Sequence, residues 1–84
     1  MSTVMQTLVD VVMYADPEKV KNLNMIVCGD NLVTSNLNPI YMSAYKEVGK
    51  GLYVNTASDT RRKYLLQIME INDRLNLGLM VEID

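Results

Sequence analysis

Residues 55–63, NTASDTRRK, gather the chain's densest set of groups that could do chemistry. Thr56, Ser58 and Thr60 bring hydroxyls, and Arg61, Arg62 and Lys63 bring three consecutive cations to the start of a predicted helix. Hydroxyls, free backbone N–H groups and positive charge at one helix terminus are what an anion needs. The spacing therefore marks a candidate site for a small phosphorylated ligand, such as a nucleotide or another phosphorylated metabolite, or for an acidic partner protein. The plainer account is a solvated turn in which Asp59 and a neighbouring acidic element neutralise the cations.

Other chemistry is poorly served. The chain has no His, which removes the commonest general base near neutral pH and every zinc site built on imidazole. Cys28, the single cysteine, has no His to activate it and reads as a small buried strand residue. The carboxylates show no spacing that marks an acid/base pair or a Mg²⁺ site. Gly49-Lys50-Gly51 lacks the remaining glycine and Ser/Thr of a phosphate loop and is better explained as a helix stop followed by a turn. No catalytic residue, metal ligand or cofactor is expected, and the chain is read as not an enzyme.

The element that must position residues 55–63 is the long helix predicted over residues 58–76, SDTRRKYLLQIMEINDRLN. Ser58 or Asp59 is its expected cap and Gly78 its stop. Tyr64, Leu65, Ile68, Met69, Ile71 and Leu75 fall in one apolar arc of roughly 160° at helical period. Asn72 sits inside that arc, where an unpaired amide would cost about 1–3 kcal/mol. Leu65, Ile68, Asn72 and Leu75 follow alternating three- and four-residue steps. That spacing predicts a homodimer seam in which Asn72 fixes the register, against the plainer account that Asn72 bonds a loop or water within one subunit.

The remaining elements follow from start and stop signals. Residues 2–15 read as a first helix with Val4, Leu8, Val11, Val12 and Ala15 on one face. Asp16-Pro17 opens a short second helix to about Leu23, and Asn38-Pro39 opens a third running to Val48. Residues 25–28 and 32–34 are apolar runs around Gly29-Asp30-Asn31, a hairpin pattern. Residues 52–54 and 79–83 are predicted strands flanking the long helix, which would make a parallel β-α-β pair. The order ααββαβαβ predicts a single α+β domain over 1–84. It would have two layers, a small mixed β-sheet (the hairpin plus a β-α-β unit) and helices mainly on one face.

Composition narrows the function class. Eighty-four residues with 49% hydrophobic content are too apolar for disorder, yet a chain of this size has a marginal core by itself. Seven Met and no Phe or Trp make an aliphatic, adaptable interior and surface. The net charge of −2 is uneven: Lys46, Lys50, Arg61, Arg62 and Lys63 against Glu47 and Asp59 leave +3 there and −5 elsewhere. No domain-wide positive field favours nucleic acid, and no apolar run approaches the ~20 residues that span a bilayer. One cysteine and no leader-like start suggest the reducing cytoplasm. The expectation is a small non-enzymatic interaction protein, a homo-oligomeric inhibitor or adaptor of a larger protein, of the kind that viruses and mobile elements often encode. A module for a phosphorylated small ligand is the alternative.

Overall fold

A computed structural model describes residues 3–58 and 60–81 as an α+β domain. Helix α1, Val4–Ala15, is capped by Thr3, whose hydroxyl accepts from the Gln6 N–H at 3.1 Å. Its buried face is Leu8, Val9, Val11, Val12 and Ala15. One residue, Asp16, ends this helix and begins the next. Its N–H donates to the Met13 carbonyl, and its carboxylate accepts from the Glu18 N–H, starting α2, Pro17–Lys21. The corner forces Asp16 to φ 88°, a conformation that non-Gly residues seldom adopt.

Two small sheets follow, both antiparallel. Strand β1, Ile26–Val27, pairs with β2, Asp30–Asn31, around a turn at Cys28 and Gly29. These two residues have φ 52° and 84°, the signs that a type I′ turn requires. The hairpin is therefore present, but its turn lies one residue earlier than the sequence suggested. Cys28 is accordingly exposed in the turn, not buried in a strand. The chain then bends at Leu32, and β3, Val33–Thr34, leaves the hairpin to pair with β5, Leu52–Asn55. The second sheet has the order β3-β5-β4.

The predicted third helix is overturned. Asn38 caps and Pro39 starts it as expected, but Pro39–Ala44 is a 3₁₀ helix and Tyr45–Gly49 is strand β4. Tyr45 and Val48 are buried while Lys46 and Glu47 between them are exposed, a spacing that imitates one helical turn. A register irregularity between Glu47 and Gly49 produces it, because a bulge adds one residue and shifts the next side chain to the other face. Lys50 and Gly51, at φ 57° and 72°, then make the tight turn into β5.

The long helix, α3, runs over Arg61–Leu75. Its stop is Asn76 in the left-handed conformation, two residues before Gly78, and its N–H donates to the Asn72 carbonyl. Among the described residues no strand follows it and no strands pair in parallel, so the predicted β-α-β unit does not form. The end of the predicted closing strand, residues 82–84, lies outside the described residues. Leu77, Leu79 and Val81 pack on the core as an irregular segment. Helix α1 packs on α3 and on β4, and α2 packs on β3. Leu8, Val12, Val20, Val33, Val54 and Ile71 lie at the centre, each almost wholly buried.

Candidate functional site

The start of α3 is built by hydrogen bonds that use the hydroxyls predicted to hold an anion. Thr56 is buried, and both its N–H, at 2.7 Å, and its hydroxyl donate to the Ala44 carbonyl. The Thr56 carbonyl accepts from the Tyr64 hydroxyl at 2.6 Å, which ties the helix to the end of β5. The Ser58 hydroxyl accepts from the Gln67 amide at 2.8 Å. Thr60, not Ser58, is the cap, accepting from the Lys63 N–H at 3.2 Å. Asp59, the other expected cap, lies outside the described residues.

The cations do not converge either. Arg61, Arg62 and Lys63 are all exposed, but consecutive helical residues splay by about 100° each. Arg61 borders a groove of about 660 Å³ between α1, α3 and residues 79–81. Lys63 borders a separate depression with Ile26, Cys28 and Leu66. Of the six predicted ligand residues, Thr56 donates its hydroxyl to its own chain, Ser58 and Thr60 accept local hydrogen bonds, and the three cations splay around the helix. Among the described residues, no group of three or more His, Cys, Asp or Glu could hold a metal ion.

The capping assignment carries its own test. Thr60→Ala should cost about 1 kcal/mol, because it strips the acceptor from the first turn of α3. Ser58→Ala, which removes only a hydrogen bond to Gln67, should cost less in the same thermal melts monitored by circular dichroism. A larger loss at Ser58 would reassign the cap.

The four residues of the predicted homodimer seam face inward. Leu65 and Ile68 are buried in the core on the face of α3 that meets α1, and Leu75 packs half-buried beside them. Asn72 is satisfied within its own chain: its amide donates to the Leu79 carbonyl at 2.8 Å and its carbonyl accepts from the Leu79 N–H at 2.9 Å. This two-point clasp answers the polar residue in the apolar arc within one chain, without a partner subunit. The arc's edge is not covered: Met69, counted in the apolar arc, is 39% exposed, and Leu66, outside the arc, is 47% exposed beside it. The available signal was the 4-3-4 spacing of Arg62, Leu66, Met69 and Asp73, overshadowed by the longer apolar stripe.

Further apolar side chains stand in solvent away from α3. Ile40 on the 3₁₀ helix is 80% exposed and Met42 54%, with Met80 at 92% in the C-terminal segment. No helix among the described residues is long and apolar enough to cross a membrane. Comparison with protein-family models, with curated proteins and with solved structures yields no match.

Proposed function

We propose that this chain is a small non-enzymatic interaction protein, a homo-oligomeric inhibitor or adaptor that works in the cytoplasm by binding a larger protein. The supporting observation is the 3₁₀ helix Pro39–Ala44, which holds Ile40 and Met42 out from the domain. An apolar side chain four-fifths exposed adds almost nothing to the fold, since hydrophobic stabilisation scales with area removed from water. The same side chain seated in a partner's pocket becomes an anchor, the type of residue on which interface energies concentrate. The flexible thioether of Met42 suits such a contact.

The test is retention from a native host extract on the immobilised protein. Wild type should hold one partner in stoichiometric amount, and Ile40→Ser with Met42→Ser should lose it without a change in melting temperature. No stoichiometric partner, or equal retention by the variant, overturns the reading. The alternative, a phosphorylated ligand at residues 55–63, has less support because Thr56 is buried with its hydroxyl donated to the Ala44 carbonyl and because Arg61, Arg62 and Lys63 do not converge. A panel of nucleotides should accordingly leave the melting temperature unmoved at every concentration, whereas ligand binding would raise it progressively.

A further inference from the structure

We infer that the outer face of α3 pairs antiparallel with the same face of a second copy of this chain, joining Leu66 to Met69 and Arg62 to Asp73 across a two-fold axis. The inference rests on the homo-oligomeric part of the reading above and is independent of the larger partner. On a helical projection Arg62, Leu66, Met69 and Asp73 fall within an arc of about 60°, on the solvent-facing flank of α3 beside the buried stripe of Leu65, Ile68 and Ile71, with Met69 next to Leu65. All four are exposed. Their 4-3-4 spacing is that of a helix–helix seam.

The charges at its two ends select the partner. Arg62 stands in the first turn of α3 and Asp73 in the last, with only Leu66 and Met69 between them on the stripe. Residues 62 and 73 and residues 66 and 69 have the same midpoint. One antiparallel two-fold therefore places Arg62 on the second copy's Asp73, twice, and Leu66 on the second copy's Met69, twice. A parallel pairing would instead oppose Arg62 to Arg62 and Asp73 to Asp73. The antiparallel arrangement also opposes the two helix dipoles. Among the described residues neither Arg62 nor Asp73 has a side-chain ion pair, while the neighbouring Glu70 and Arg74 are already paired at 3.1 Å. Ile26, 62% exposed, borders the same depression as Leu66 and extends the apolar part of the face.

The edge strand β4 offers a poorer route to self-association. Strand β4 is an edge, but it carries exposed Lys46 and Glu47 and the irregularity at Glu47 to Gly49, both of which discourage a neighbouring strand. The helix is about 22 Å long, so one such pair with Ile26 at its margin buries on the order of 1,000 Å², the low end for a specific interface. Interfaces at that end of the size range are typically weak and reversible, so the dimer is expected to dissociate on dilution.

The test uses the purified full chain alone, by sedimentation equilibrium across about 5 µM to 1 mM, so the outcome does not depend on finding the larger partner. Wild type should dimerise. Arg62→Asp should weaken the dimer at least tenfold, and Asp73→Arg likewise, since each sets like charges against each other across the axis. The double variant Arg62→Asp with Asp73→Arg should return to within about threefold of wild type, because the ion pairs re-form with reversed sign. All four residues are exposed, so circular dichroism should show folded variants throughout, and added salt should weaken the wild-type dimer. A monomeric wild type at 1 mM overturns the inference, as does a double variant no tighter than the singles. Dimerisation blocked by the 3₁₀-helix variant Ile40→Ser/Met42→Ser, with Leu66→Ser harmless, would move the contact elsewhere and also overturn it. Failure of the extract experiment with an intact charge-swap result would refute the larger partner and leave the dimer standing.

Discussion

An Asn55→Leu variant is expected to lose about 3 kcal/mol, a large share of what so small a domain possesses. Asn55 is fully buried at the end of β5 and bonds in three directions. Its backbone N–H donates to the Leu32 carbonyl at 2.7 Å, its side-chain amide donates to the Val27 carbonyl at 3.3 Å, and its side-chain carbonyl accepts from the Ala57 N–H at 2.9 Å. The Val27 bond attaches the β1–β2 hairpin to the three-stranded sheet, and the Ala57 bond turns the chain toward α3. Leu keeps the volume and removes both side-chain bonds. The Val27 carbonyl and the Ala57 N–H then lose their partner, at about 1–3 kcal/mol for each group that stays dry. Urea denaturation should show the midpoint falling with little change in slope. A loss below about 1 kcal/mol would mean that water reaches both groups and that the two sheets are not coupled through this side chain.

Asn72→Leu is expected to cost about 2–3 kcal/mol and to loosen residues 77–81 ahead of the rest. A homodimer register role would predict the opposite, a gain in association from an added apolar residue. Here the amide holds both the N–H and the carbonyl of Leu79, so substitution frees two backbone groups at once. Leu77, Leu79 and Val81, held against the core by that clasp, would then exchange burial for freedom. Hydrogen exchange should locate the effect: faster exchange at the Leu79 amide, with smaller changes at Leu8 and Val12 in α1. Unchanged protection at Leu79 would show that packing alone fixes the segment.

The parts of this fold legible in the sequence are those set by local chemistry. Asp16-Pro17 and Asn38-Pro39 each cap and start a helical element, and the apolar period of residues 61–75 marks α3. What misled was periodicity over short stretches. Tyr45 and Val48 match a helix and a bulged strand equally well, and only pairing with β5 decides between them. The turn at Cys28 and Gly29 was displaced because Gly-Asp imitates one hairpin turn while the register Val27 with Asp30 imposes another. The α+β class survived these errors, since it depends on the number and mixture of elements rather than on their bounds. Whether a Thr hydroxyl points to solvent or back to the Ala44 carbonyl is set by tertiary placement, which spacing does not encode.

The contact between α1 and α3 has a consequence for synthesis. The buried face of α1 finds cover from α3, which begins some sixty positions later in the chain, so the first helix is made before its neighbour exists. Local hairpins such as β4–β5 can close early, but the core they back onto must wait. At about 5–20 residues per second, the apolar face of α1 stays uncovered for several seconds of elongation. The core these two helices share therefore closes only once α3 has been made.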